Sequence, residues 1–326
     1  MSVHETYPYL LVTEKRGKLK CWSTSGVREI DRGPTVDYGG QGGLGDVVFQ
    51  PRMANFPHVY LSWVEAGQSD TRGAVVGRGV LQHPCMIWTP PPAVIWRQTP
   101  KTTGRGHYSH RLAISPDGAY LFVASGERQK MTPAQDLTNN LGKILRLNLD
   151  GTPAAGNPFA DKGGVAAEIW SYGHRNILGL QFDAQGRLWA LEHGPAGGDE
   201  LNLVKPGQNY GWPLVSDGDH YDGRAIPRNS TRPDLAQPAI SWNPVIAPGD
   251  FIFYSGKMWP EWKGQALIAA LGSEGLVRVR IDGEKASEQA RYPLGKRIRA
   301  IREAPDGSLY VLEDGEGGRL LRLSKA

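Results

Sequence analysis

Residues 192–213 read EHGPAGGDELNLVKPGQNYGWP. The first nine positions hold Glu192, Glu200, Asp199, His193 and three glycines, and the segment closes on Tyr210-Gly211-Trp212. It is too polar for a core strand and too glycine-rich for a helix. Bent backbone that presents carboxylates beside carbonyls suits Ca²⁺, which takes roughly six to eight oxygen ligands of both kinds. Gly194, Pro195, Glu200 and Tyr210 lie on this backbone and are candidate metal ligands. A solvated acidic loop has the same composition, and no EF-hand spacing is present to decide between the two.

A second group is GHYSHR (106–111), which places His107 and His110 three residues apart. An imidazole titrates close to neutrality and suits a general base. Either histidine could instead be a hydrogen-bonded structural residue, and spacing alone does not say which would act. Cationic residues recur in polar loops: Arg175 and Asn176 in GHRNILG, Arg297 and Arg299 in GKRIRAIRE. Arginines two apart on a strand share a face. If that face lines a pocket they form a fork for carboxylates or phosphates; otherwise they are an exposed pair on an outer strand. GGQGGLGD (39–46) lacks the Lys-Ser/Thr of a phosphate-binding loop and any following helix. Its Gln41 could reach a ligand across backbone kept thin by glycine.

The elements that must position these residues repeat. SHRLAISPDGAYLFVASGE (109–127), LGLQFDAQGRLWALEHG (178–194) and IRAIREAPDGSLYVLEDG (298–315) share one plan. In each, an apolar strand meets an Asp-Gly or Gln-Gly turn, then a second alternating strand runs into a polar loop, which is a strong hairpin signal. Looser copies lie at 43–67, at 250–282 and at 9–23, the last without the first strand of the unit. Six such units of strand and turn predict an all-β chain, a six-bladed β-propeller with four-stranded antiparallel blades, in a single domain over 1–326. Helical periodicity is confined to TPAQDLTNNLGK (132–143). Loops at the inner-strand ends of the blades are where a pocket is expected.

Bulk composition sets bounds on function. The formal charge of +4 is not gathered into a basic run, so an anionic small molecule explains it as well as a nucleic acid does. Gly (42) and Pro (24) are frequent but evenly spread, which reads as turns rather than disorder. Cys21 and Cys85 form either a disulfide or two buried thiols. No apolar run is long enough for a membrane helix, and no signal peptide precedes residue 10. The chain opens almost directly on an apolar strand, as a trimmed mature domain or a cytosolic protein would.

Taken in order, GGQGGLGDVV, HYSHRLAISPDG, SGER…AQDL, LGKILRLNLDGTPAAGNPF, EIWSYGHRN, EHGPAGGDELN, NYGWP and RIRAIREAPDGSLYVL resemble the soluble PQQ-dependent sugar dehydrogenases, on their aldose sugar dehydrogenase branch. The resemblance runs from about residue 10 to the C-terminus. It implies a six-bladed propeller holding pyrroloquinoline quinone (PQQ) with Ca²⁺ on the cofactor. It also implies oxidation of the anomeric C1 hydroxyl of an aldose to an aldonolactone, with electrons passing to an external acceptor. By that match His107 is the general base and Glu127 orients it. Gln41, Arg175, Asn176, Tyr221, Arg297 and Arg299 contact PQQ, and Trp242 covers the quinone face. Gly194 and Pro195 offer carbonyls to the cofactor's Ca²⁺, while Glu200 and Tyr210 belong to a second, structural Ca²⁺ site. His110 has no counterpart.

The resemblance further implies an exported enzyme, periplasmic or secreted, that acts as a monomer or homodimer, with no nucleic-acid partner and no membrane span. Gly272, in LIAALGSEG, stands where the family usually has a cofactor-contacting lysine. The N-terminus also begins later than the family's first strand. Two rival readings are a six-bladed calcium lactonase and a non-catalytic interaction propeller. A lactonase needs acidic side chains directly on its metal, and the arginines fit an anionic cofactor better than a lactone. Retention of His107, Arg175, Arg297 and Arg299 argues against a purely binding role; the missing lysine argues the other way. Sugar preference is expected to rest on the loops of 214–245.

Overall fold

The computed structural model describes residues 1–4, 9–51, 58–82 and 87–325, and these fall into two compact units, Met1–Asn176 and Ile177–Ala326. The first unit contains three antiparallel sheets. Sheet one runs Ser2–Val3, Tyr9–Glu14, Lys18–Ser23 and Gly26–Ile30. Sheet two pairs Leu44–Phe49 with His58–Ala66 and then Arg72–Gln82, on which Ile87–Trp88 and Ala93–Arg97 both pair. Sheet three is Ser109–Ile114, Tyr120–Ser125, Lys143–Asn148 and Ile169–Tyr172.

The second unit repeats the plan. Sheet four is Ile177–Phe182, Leu188–Glu192, Asp199–Val204 and Ile240–Trp242, with a small ribbon of Ala196–Gly197 on Gly218–Asp219 in its loops. Sheet five is Pro248–Phe253, Ala266–Ala270, Gly275–Asp282 and Lys285–Pro293; sheet six is Ile298–Glu303, Leu309–Glu313 and Leu320–Leu323. Six antiparallel meanders and no α-helix among the described residues make this the six-bladed β-propeller fold class. Four sheets have four strands; sheet two has five and sheet six three. No described helix is long and apolar enough to cross a membrane.

The three Gly-turn hairpins form in the expected register: Leu112 faces Val123, Leu180 faces Ala190 and Ile301 faces Val311. Gly118, Gly186 and Gly307 take the turn positions with φ of 77°, 74° and 88°, where a side chain would be strained. Two expectations change. Residues 9–23 do have a first strand, supplied by Ser2–Val3, whose two residues pair with Leu11 and Leu10. Residues 132–143 form only one 3-10 turn, Thr132–Gln135, and the sheet resumes at Lys143. Pro133 suits the first turn, but Asp136, Asn139 and Asn140 favour local turns over continuation, and Gly142 has φ 69°. Cys21 is buried; Cys85 lies outside the described residues.

Alternating apolar residues fill the spaces between sheets. In the first unit Tyr60, Val76, Leu112, Val123, Leu145 and Ile169 pack together. In the second, Trp189, Leu201, Phe251, Ile268 and Val277 do the same. Each such side chain contributes about 1.5–3 kcal/mol on burial, which makes the sheets rigid supports. In sheets two to six the first strand shifts register near its start, at Leu44/Val47, Ser109/Leu112, Ile177/Gly179, Pro248/Asp250 and Ile298/Ala300. Bulges break the ladder and re-aim side chains. Gln41, His107, Asn176 and Arg299 all lie on or just before these irregular starts.

Candidate active site

In the first unit the structure brings His107, Glu127, Gln41, Arg175 and Asn176 together. His107 precedes sheet three's first strand, and Glu127 follows its second, so one hairpin end carries both. The imidazole Nδ1 of His107 donates to Glu127 Oε1. Glu127 is 0% exposed and also accepts the backbone N–H groups of Gln129 (3.0 Å) and Met131 (2.5 Å). The N–H of His107 donates to Gln41 Oε1 at 2.7 Å, and that of Gln41 to Arg105 O at 2.8 Å. The N–H of Glu127 meets Arg175 O at 3.0 Å, and Asn176 Oδ1 accepts from Ser109 N at 3.3 Å.

The two loops are strained. His107, Ser109 and His110 have φ of 47°, 55° and 44°, and Arg128, Gln129 and Met131 have 63°, 59° and 63°. Such left-handed conformations cost an L-residue about 1–2 kcal/mol each, so the hydrogen bonds above must hold them. Clusters of this kind gather at functional sites.

Electrostatics fixes the proton. Burial pushes the His107 pKa below its ordinary 6.5; Glu127 opposes this, while the charges of Arg175 and Arg128 reinforce it. For Glu127, burial alone would raise the pKa, but the hydrogen bond and charge of His107, the Met131 N–H and Arg175 outweigh it and hold the carboxyl below its ordinary value. An ionised Glu127 that accepts from Nδ1–H leaves the Nε2 lone pair of a neutral imidazole as the available base. His110 is different. Burial takes its pKa to about 3, and its Nδ1 lies 3.3 Å from Ser62 Oγ, which donates to His110 O at 2.7 Å. It is a neutral packing residue, so the two histidines are told apart.

The remaining candidates belong to the second unit. Arg297 and Arg299 do share a face, because both reach Asp314: Nε of Arg297 to Oδ2 at 3.2 Å, Nε of Arg299 to Oδ1 at 2.8 Å. Two guanidiniums on one carboxylate leave positive charge in excess, a donor set that suits the carboxylates of PQQ. Tyr221 is 78% exposed. Trp242 ends sheet four's last strand. It is 5% exposed, sits in the core with Trp189 and Leu201, and gives its indole N–H to Glu288 at 2.8 Å.

Gly194 and Pro195 are buried in the loop after sheet four's second strand. The Gly194 N–H donates to Asp199 Oδ1 at 3.0 Å, and Asp199 Oδ2 accepts from Ala247 N at 2.7 Å. A Cβ at Gly194 would lie 2.2 Å from Gly197 O and 2.3 Å from Gly198 O, so only glycine leaves room for this bunching of carbonyls. His193, the loop's histidine, bonds Pro248 O at 2.6 Å through Nε2.

Glu200 has a partner that sequence reasoning missed. It stands directly opposite Glu192 on the neighbouring strand. Asn202 Nδ2 donates to both carboxylates at 3.2 Å, and Asn229 Nδ2 donates to Glu200 at 2.7 Å. Burial, reinforced by the charge of Glu192, pushes Glu200 up to about 8. Asn202 Oδ1 is buried without a hydrogen-bond partner. Two buried carboxylates and an orphaned amide oxygen are the donors a hard cation takes. The Tyr210 hydroxyl donates to Leu203 O (2.6 Å) and accepts from Lys205 N (2.8 Å), so any oxygen it gives a metal is its carbonyl. Among the described residues no three His, Cys, Asp or Glu side chains gather to hold a metal.

The family profile described as Glucose / Sorbosone dehydrogenase matches residues 4–322. The chain is 38% identical over 322 residues to the aldose sugar dehydrogenase YliI of Escherichia coli K12, covering 97% of this chain and 86% of that protein. The apo crystal structure of the soluble E. coli aldose sugar dehydrogenase superposes with a TM-score of 0.93 at 37% identity, covering 98% of this chain and 94% of that one. The PQQ-bound aldose sugar dehydrogenase of Streptomyces coelicolor gives 0.77 at 28% identity, over 96% and 89%. The chain therefore belongs to the glucose/sorbosone dehydrogenase family.

Proposed function

We propose that the protein is a PQQ- and calcium-dependent aldose sugar dehydrogenase that oxidises the anomeric hydroxyl to an aldonolactone. The observation that carries this is the His107–Glu127 pair: a buried carboxylate holds a neutral imidazole in the tautomer whose Nε2 takes a proton. Similarity to an aldose sugar dehydrogenase whose structure contains PQQ supports the choice of cofactor. PQQ bound with calcium supplies the acceptor for the hydride that leaves C1.

The chain does the rest. His107 Nε2 removes the hydroxyl proton, and Glu127 keeps Nδ1 protonated and stabilises the imidazolium that results. Gln41 fixes the backbone of His107, while Arg175 adds positive charge beside the base. Arg175, Asn176, Arg297, Arg299 and Tyr221 would hold the cofactor. The carbonyls of Gly194 and Pro195 would hold its calcium, and Glu200, with Glu192 and Tyr210, a structural calcium. The reading includes an exported enzyme that hands electrons to an external acceptor.

The test is reconstitution. Apoprotein is given PQQ, Ca²⁺, an artificial dye and a panel of aldoses, with each component omitted in turn. Dye reduction that requires all of them is the expected result. PQQ binding with no turnover on any aldose would remove the reaction, and absence of PQQ binding would favour a non-catalytic propeller.

A further inference from the structure

Arg128 follows Glu127 and is 1% exposed. Among the described residues no carboxylate pairs with it. Its guanidinium instead spans three backbone carbonyls: Nε to Gly106 O at 2.9 Å, Nη1 to Arg72 O at 2.7 Å and Nη2 to Gly104 O at 2.6 Å. The plane lies over the Tyr108 ring at 3.8 Å, and the Tyr108 hydroxyl also donates to Gly104 O. The backbone N–H of Arg128 donates to His107 O at 3.2 Å. The side chain therefore grips the loop just before His107, and the main chain grips His107 itself.

We propose that Arg128 is the positioning residue of His107, its fork closing on the carbonyls of Arg72, Gly104 and Gly106 to fix the loop that presents the imidazole. Burying a cation without an anion is strongly unfavourable unless its donors are satisfied, and here carbonyls satisfy them. Only arginine offers several donors in one rigid plane; lysine is a point donor on a flexible stem. The grip is anchored, because Arg72 begins a strand of sheet two and pairs with Asp37, which also holds Arg105. Arg128 thus ties the strained loops of sheet three to the frame of sheet two. Three charged groups act on the imidazole: Glu127 favours its protonation, and Arg175 and Arg128 oppose it alongside burial. Removing the Arg128 charge lets His107 protonate more easily.

The effect on turnover rests on the dehydrogenase reading; the effect on His107 does not. Arg128→Met and Arg128→Lys are compared with wild type in two measurements. The first is NMR titration of the His107 imidazole in the apoprotein, its signal identified by loss in His107→Ala. The second is dye-linked turnover with PQQ, Ca²⁺ and an active aldose. Arg128→Met should raise the His107 pKa and lower kcat by about ten- to a hundredfold with little change in sugar KM. Arg128→Lys should keep the titration near wild type and still lose kcat. Unchanged titration and turnover in Arg128→Met would overturn the proposal, as would full turnover in Arg128→Lys, which would leave charge as the whole effect. Loss of fold in both variants would make Arg128 a stability element and would also overturn it. If wild type oxidises no aldose, the dehydrogenase reading fails, while an unchanged His107 titration in Arg128→Met would still overturn the role of Arg128.

Discussion

The imidazole of His107 is held through Nδ1 by Glu127, a carboxylate that solvent does not reach. The pair spans the end of one hairpin, so its geometry is set by the register of Ser109–Ile114 against Tyr120–Ser125 rather than by loose side chains. His107→Ala should lower kcat by about a hundredfold or more while PQQ still binds. Glu127→Gln keeps a hydrogen-bonding group but loses the charge that stabilises an imidazolium, and should lower kcat in the same direction. Both are read from kcat and from PQQ affinity measured separately. Wild-type turnover in His107→Ala would move the base elsewhere, and His110 is a poor substitute given its burial.

The pH profile follows from the same pair. Burial lowers the His107 pKa below 6.5, so the neutral, proton-accepting form persists to lower pH than in free histidine. Activity of the base is present above the folded pKa and is lost as pH falls through it. The acid limb of kcat/KM should therefore lie below pH 6.5, and Glu127→Gln, which removes the main influence favouring protonation, should move it lower still. An acid limb above 6.5 in wild type would contradict this account.

Legibility in the sequence followed locality. Asp117-Gly118, Gln185-Gly186 and Asp306-Gly307 announce their hairpins because the turn, its φ and the flanking alternation lie within a dozen residues. The pairing of Ser2–Val3 with Tyr9–Glu14 was missed because two residues carry no alternation to read. Glu192 was visible as an acid, but its place beside Glu200 depends on cross-strand register, which no spacing in the chain displays. Arg128 lies in the SGER motif, but the motif gives no sign of its role, since its acceptors are backbone carbonyls at 72, 104 and 106 and backbone has no sequence signature. Trp242 shows the same limit: nothing in its motif displays its packing against Trp189 and Leu201, which depends on neighbouring strands.

Calcium should stabilise the protein independently of turnover. Glu192 and Glu200 face each other in a buried setting with Asn202 Oδ1 unsatisfied, so a bound cation removes repulsion and completes the donors. At about a hundred times its Kd a ligand specific to the folded state adds about 2.7 kcal/mol. Thermal unfolding of the apoprotein with and without Ca²⁺, after chelation, should show a higher Tm with the ion. Glu200→Gln removes one negative ligand, and its Tm should respond far less. An equal calcium response in wild type and Glu200→Gln would exclude this pair as the site.

Gly272 is held by sterics. Its N–H donates to Ile246 O at 2.9 Å, and a Cβ built on it would lie 2.9 Å from that oxygen and 3.1 Å from Ala247 Cβ. Ala247 cannot easily yield, because its own N–H is fixed to Asp199 Oδ2 and its φ is 47°. Placing a lysine at 272 should therefore cost about 1–3 kcal/mol of stability, the usual range for overpacking. Gly272→Ala isolates the steric part, and Gly272→Lys adds the charge. Denaturant unfolding of both variants beside PQQ titration separates the two. A Gly272→Lys protein as stable as wild type that binds PQQ more tightly would show that the loop moves aside and that a cation there contacts the cofactor.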